Sequence, residues 1–246
     1  MIERASRGLI FRRRLPAPFP PIPFYVSPEG GLRYLRQSLA KVDRPLLALV
    51  SEFVHPGAVV WDVGANVGLF GFAAAAAAGR TGRVVAVEPD TWLVGLLRRS
   101  ALLEGDRGPV AVVPAAVSDR PGLGRFHIAR RNRSTSYLDG YGTTQTGGSR
   151  AEQVVPTITI DLLAEQFPWP DVLKIDVEGA EMLALAGAVN TLARKPVVIC
   201  EVAGENSKEV AIILTEAGYR LFDGLVTPSE RREIDLAPEQ TLAIPL

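Results

Sequence analysis

The sequence predicts a doubly wound α/β fold built on a mostly parallel sheet, and three observations carry that prediction. From residue 57 onward, short runs rich in valine and isoleucine alternate with stretches of helical spacing. The runs are apolar along nearly their whole length rather than at alternate positions, as in strands covered on both faces. Carboxylates stand where the runs end, at Asp62, at Glu88 with Asp90, at Asp119, at Asp176 with Glu178, and at Glu201, whereas the runs begin after Gly57, Gly82, Pro109, Pro170 and Pro196. Ligands of such sheets bind beyond the carboxyl ends of the strands, so one edge is chemical and the other is plain turn.

The elements follow in chain order. Residues 1–31 read as an arm: "MIERASRGLIFRRR" carries five arginines against one glutamate, and "LPAPFPPIPF" places five prolines in ten residues. Proline lacks the backbone donor that helix and sheet need, which predicts an extended, polyproline-like segment. "GLIF" is too short for a secretory apolar core and precedes the triple arginine, so the arm is not expected to be a signal peptide. Residues 32–246 form the predicted domain. Leucine spacing over 32–56 predicts one or two leading amphipathic helices, and 57–246 is the α/β core. There "AVVWDVG" precedes an alanine helix, "GRVVAVEPD" precedes "TWLVGLLRRSALLEG", and "VAVVPAAVSD" gives a third strand. Then come "DVLKIDVEG" before "AEMLALAGAVNTLAR", "PVVICEV" before "SKEVAIILTEAG", and "YRLF".

Composition narrows the function. The 246 residues suit one large domain with an appendage, and Lys+Arg and Asp+Glu balance at 27 each, giving no global field for nucleic acid or anionic membrane. Cys200, the single cysteine, lies in an apolar run as a small core residue, and its solitude fits a reducing compartment, so the chain is expected to be cytoplasmic. The longest apolar run, Val67 to Gly79, is too short to span a bilayer. His55 precedes the first strand at its plain end, and His127 falls in a hairpin strand. Both read as ordinary surface or packed histidines. The "STSYLDGYGTTQTGGS" segment has eleven Gly, Ser or Thr residues in sixteen. It predicts a mobile loop, whose two tyrosines could stack on a ring of the substrate.

The turn after the first core strand, Gly64-Ala65-Asn66-Val67-Gly68, lacks the G-x-G-x-x-G spacing of a pyrophosphate site, and Asp62 would repel a phosphate there. A cationic, phosphate-free ligand suits it better. S-adenosylmethionine carries an ammonium and a sulfonium; Asp62 and the turn can hold its amino-acid portion, and Glu88, 24 residues beyond Gly64, can accept hydrogen bonds from its ribose.

"VVWDVGANVG", "VVAVEPD", "PAAVSD", "TITIDLL" and above all "LKIDVEGAE", in order from about Gly57 to Val202, resemble the FkbM family of S-adenosylmethionine-dependent methyltransferases. The resemblance implies the class I methyltransferase (Rossmann-like) fold: a seven-stranded, mostly parallel sheet with one antiparallel strand near the end. It also implies methyl transfer to a hydroxyl of a sugar, glycolipid or polyketide-type metabolite, a small-molecule acceptor rather than nucleic acid. Joined to the residues, Asp62, Gly64, Asn66 and Gly68 would meet the methionine end, Glu88 the ribose, Pro89 and Asp90 the ribose and adenine border, and Ser118 with Asp119 the adenine amino group. Asp119 serves equally well as a turn cap. Strand alternation puts Lys174, Asp176 and Glu178 on one side, with Glu201 the expected partner of Lys174 and a contact to the substrate as the second, catalytic reading of that lysine. Glu181 opens the next helix, where a carboxylate favours the macrodipole. Asp176 and Glu178 are the candidate bases, Glu178 the outer of the two and Asp176 deeper, against the cofactor that it also helps to bind, unless they hold a divalent metal that acidifies the hydroxyl. A nicotinamide-dependent oxidoreductase and a non-catalytic S-adenosylmethionine-binding protein are the alternatives.

Overall fold

The computed structural model describes residues 6–142 and 147–246. The arm does not run as a polyproline strand. It folds into a hairpin of β1 (Phe11–Arg14) and β2 (Pro23–Val26), paired antiparallel with Phe11 opposite Val26 and Arg13 opposite Phe24. Apolar residues between and beside the prolines explain the difference: Leu15, Phe19, Ile22, Phe24 and Val26 are buried in the main core, and the Phe24 ring lies 5.7 Å from Phe72. Pro23 opens its strand, where the missing donor costs least. The leading segment then holds two 3-10 turns, Pro28–Gly30 and Leu32–Leu35, and a single α-helix, α1 (Arg44–Phe53).

The core proper runs β3 (Val59–Val63), α2 (Leu69–Ala78), β4 (Arg83–Val87), α3 (Thr91–Ala101) and β5 (Val110–Val113). Here the single third strand expected over Val110–Asp119 breaks at Pro114. The chain leaves the sheet and enters a second one made of β6 (Ala116–Val117), β7 (Gly122–Ala129), β8 (Tyr137–Leu138) and β9 (Ser149–Ile158), in spatial order β6-β9-β7-β8. A small mixed sheet therefore makes the crossover where a helix would be usual.

The chain returns through β10 (Val172–Ile175), α4 (Glu181–Ala186), α5 (Val189–Ala193), β11 (Val197–Glu201), α6 (Ser207–Glu216), β12 (Tyr219–Asp223), β13 (Glu233–Ile234) and β14 (Gln240–Pro245). The one helix predicted over Ala180–Arg194 divides at Gly187, where glycine is required because a Cβ would stand 2.3 Å from the Ser118 carbonyl oxygen.

The main sheet has spatial order β13-β12-β14-β11-β10-β3-β4-β5. The five strands from β11 to β5 are mutually parallel, and β14 runs against both β11 and β12. This is the class I methyltransferase arrangement, with the two-residue β13 as an eighth strand on its outer edge. Residues alternate between two cores: Val60, Val172 and Ile199 face the arm and α2, whereas Trp61, Leu173 and Cys200 face the opposite layer. Cys200 is a buried core thiol, as expected. Among the described residues no helix is long and apolar enough to cross a membrane.

Candidate functional site

Strand order reverses between β3 and β10, so the turns that follow these strands flank the crevice where doubly wound folds bind ligands. Glycine is required at Gly64: φ is +77°, and a Cβ would fall 1.8 Å from the Asp176 carbonyl oxygen. The backbones of the two turns therefore touch. Gly64 and Ala65 donate their amides to the Val87 carbonyl at 2.9 and 3.0 Å, tying the turn to β4. Asn66 takes a left-handed conformation, φ 52°, and donates its amide to Glu88 Oε2 at 2.8 Å.

Beneath the turn lies a buried ion cluster. Lys174 and Asp62 are register partners on β10 and β3, and the lysine Nζ stands 3.4 Å from Asp62 Oδ1 and 3.1 Å from Asp176 Oδ2 while donating to the Gly64 carbonyl at 2.9 Å. The expected pairing with Glu201 is thereby corrected: Asp62 and Asp176 hold the lysine. The buried Asp62 is met by a protein cation and does not belong to the crevice lining. Burial alone would lower the Lys174 ammonium, but Asp176 and Asp62 outweigh it and raise it above the ordinary lysine value. Burial likewise raises Asp62, against the pull of Lys174.

Above the turn opens a crevice lined by Gly64, Asn66, Val87, Glu88 and Pro89 on one side and by Asp176, Val177, Glu178 and Ala180 on the other. The small sheet supplies a third wall and roof through Val117, Phe126, Arg133, Ser134, Ser136 and Leu138. Glu88 accepts amides from Asn66 and, at 2.9 Å, from Asp90. Burial nevertheless pushes its carboxyl up to about 8. Glu178, at φ 51°, is raised to about 9, first by burial and then by Asp176 and Glu201.

A second cavity of about 410 Å³ meets the first at Asp176 and Glu178 and is lined further by Glu181, Glu201, Glu205 and Glu239. Asp176 and burial together raise Glu201 to about 7. Among the described residues no three His, Cys, Asp or Glu side chains are grouped so as to hold a metal ion.

The remaining predicted positions separate. Gly68 starts α2 at φ +90°, and a Cβ there would meet Phe72 and Leu97 at 2.7 and 2.8 Å, so it serves packing. Asp90 caps α3 through the Trp92 amide at 2.9 Å and pairs with Arg133. Ser118 and Asp119 bond each other at 3.1 Å at the end of β6, outside the cavity lining, because the strand that carries them has left the main sheet. Glu181 is buried, accepting from the Gly179 amide and from Asn206 Nδ2 at 2.7 and 2.6 Å.

Of the expected mobile loop, Ser134, Ser136 and Leu138 line the cavity, and residues 143–146 lie outside the described residues. Of its two tyrosines, Tyr137 stacks on His127, whose Nε2 stands 2.9 Å from Asp139. Residue reasoning missed Arg133 and the Glu29–Gly30 turn. The only signal was an arginine at each end of the Gly/Ser/Thr segment, Arg133 and Arg150.

A family model described as the methyltransferase FkbM domain matches residues 62–221. The sequence is 30% identical over 184 residues to the hexuronic acid methyltransferase AglP of Haloferax volcanii, covering 71% of this chain and 69% of that protein. Among solved structures, a methyltransferase FkbM from Methylobacillus flagellatus aligns with TM-score 0.46 at 13% identity, over 88% of this chain and 58% of that one. A SAM-dependent O-methyltransferase from Thermotoga maritima aligns with TM-score 0.47 at 13% identity, over 91% and 74%. At these scores the superpositions add no weight to the fold, which rests on the sheet order.

Proposed function

Since the chain belongs to the methyltransferase FkbM family, we propose that it transfers the methyl group of S-adenosylmethionine to a hydroxyl of a small, sugar-like acceptor. The observation that carries this reading is the charge balance at the strand ends. Glu88 and Glu178 line the crevice with carboxyls raised to about 8 and 9, and Lys174 is the cation buried beneath them. A ligand bearing an ammonium and a sulfonium favours the ionised form of these carboxyls, whereas a pyrophosphate would disfavour it. The lining fits such a ligand: the Gly64–Asn66 backbone and Glu88 offer polar contacts, and Val87, Pro89, Leu93 and Val117 offer apolar ones.

When bound, the cofactor supplies an electrophilic methyl group. The protein's part is to align the acceptor, exclude water and receive the hydroxyl proton. Glu178 stands where the two cavities meet and is the base in this reading: a bound cation beside it favours its ionised form, and that carboxylate takes the proton. Asp176, held by Lys174 at 3.1 Å, orients the turn beside it. A general base of raised proton affinity is worth about 10²–10⁴ in rate.

The acceptor class draws on the sugar named for the Haloferax volcanii relative. The carboxylates of the second cavity favour an uncharged hydroxyl-bearing face over a uronate carboxylate. The balance of 27 basic and 27 acidic residues favours a small molecule over nucleic acid. Calorimetric titration with S-adenosylmethionine and with NAD tests the cofactor, and mass spectrometry of methyl glucoside and glucuronic acid after incubation with enzyme and cofactor tests the acceptor. Binding of NAD in place of S-adenosylmethionine would overturn the reading.

A further inference from the structure

The tip of the N-terminal arm closes a ring of contacts around Glu88. Glu29, buried in the Pro28–Gly30 turn, accepts from Arg133 Nε at 3.1 Å and from Arg150. Arg133 reaches onward to both oxygens of Asp90, at 2.8 and 2.6 Å, with its guanidinium over the Trp92 ring. The Asp90 amide donates to Glu88 Oε1, and Glu88 Oε2 accepts from the Asn66 amide. Asn66 Nδ2 then donates to the Gly30 carbonyl at 3.0 Å, which returns the path to the arm. Two consecutive arm residues thus hold both flanks of one cavity carboxylate.

The same tip holds the roof. Arg133 and Arg150 bracket the segment whose Ser134, Ser136 and Leu138 line the cavity, and both guanidiniums converge on Glu29 Oε2. The charge-assisted bonds are almost fully enclosed: the Arg133 and Glu29 side chains are 14% and 8% exposed. Such bonds are roughly twice as strong as neutral ones and fix geometry. Space at the tip is equally tight, since a Cβ on Gly30 would fall 2.5 Å from Asn66 Oδ1 and 2.7 Å from Val67 Cγ1. The arm lies outside residues 62–221, the part matched by the family model.

We propose that Glu29 and Arg133 are positioning residues, through which the arm tip sets the orientation of Glu88 and holds the roof over bound S-adenosylmethionine. This rests on the cofactor reading given above. Cofactor release then requires the clasp to part, so the clasp governs the dissociation rate more than the chemical step.

The test compares wild type with Glu29→Gln, Arg133→Lys and Gly30→Ala. Affinity for S-adenosylmethionine is read by calorimetry and its dissociation by stopped-flow displacement. Arg231→Met serves as control, removing a buried bidentate pair with Glu52 on a surface away from both cavities. Glu29→Gln and Gly30→Ala should each weaken binding about tenfold or more, mainly through faster dissociation. Their KM for the cofactor should rise with kcat little changed, and Arg133→Lys should fall between them and wild type. Arg231→Met should lower Tm and leave affinity intact, separating positioning from general destabilisation. Wild-type affinity and dissociation rate in both Glu29→Gln and Gly30→Ala would overturn the clasp while leaving the cofactor reading standing. Failure of wild type itself to bind S-adenosylmethionine would overturn the reading beneath it, and the clasp with it.

Discussion

Lys174 and Asp62 face each other at 3.4 Å on adjacent parallel strands, in register and buried beneath the Gly64 turn. With Asp176 they form a cluster of one cation and two carboxylates, and the lysine also bonds the turn's carbonyl. Removing the cation leaves buried charge without compensation, which costs about 3–5 kcal/mol. Lys174→Met should therefore lower the urea unfolding free energy by about that amount, and adding Asp62→Asn should recover part of the loss. An unchanged unfolding midpoint in Lys174→Met would refute the cluster's structural role.

The raised carboxyls make stability depend on pH. Unfolded, Glu88, Glu178 and Glu201 lose their protons near 4.5, whereas folded they keep them until about 8, 9 and 7. Between these values the native state binds more protons than the unfolded one, so stability falls as pH rises from about 5 to about 9. Thermal melts of the unliganded protein should show that decline, and Glu178→Gln, neutral at every pH, should flatten it. A Tm that climbs steadily from pH 6 to 9 would show the opposite proton balance.

The arm is structural as well as positional. Phe24 is fully buried and packs on Phe72, so Phe24→Ala should destabilise the protein by about 3–5 kcal/mol. Denaturant melts would read this directly, and a loss below about 1 kcal/mol would mean that the hairpin is not docked.

The central sheet was legible because β3, β4, β10 and β11 are short, largely apolar runs with a carboxylate at or near the carboxyl end, a pattern that depends only on burial and direction. Lys174 was legible as a buried charge needing a partner. The choice of Asp62 over Glu201 was not, since it depends on which strands are neighbours. Asp119 misled because Pro114 diverts its strand into another sheet, so a carboxylate at a strand end was not at the edge of the main sheet. The arm misled because proline content masked five apolar residues whose burial outweighs it. Glu29 and Arg133 are 104 residues apart, beyond the reach of any local pattern.

Glu88 and Asp62, both read from the sequence as cofactor contacts, should now behave differently. Glu88 lines the cavity, so Glu88→Ala should weaken S-adenosylmethionine binding about ten- to a hundredfold, the cost of a charged hydrogen bond. Asp62 is buried and outside the lining, so Asp62→Asn should act chiefly on stability. Calorimetry giving equal losses of affinity for both would place Asp62 in contact with the cofactor after all.

The central claim is that Glu178, at the junction of the two cavities, accepts the acceptor's proton. Glu178→Gln keeps the shape and hydrogen bonding of the side chain but cannot take a proton. The most direct measurement is single-turnover methyl transfer at saturating S-adenosylmethionine, with calorimetric affinity measured on the same samples. Glu178→Gln should show near-normal cofactor affinity and transfer slowed by about 10²-fold or more. Transfer at the wild-type rate in Glu178→Gln, together with its collapse in Asp176→Asn at unchanged cofactor affinity, would contradict that claim.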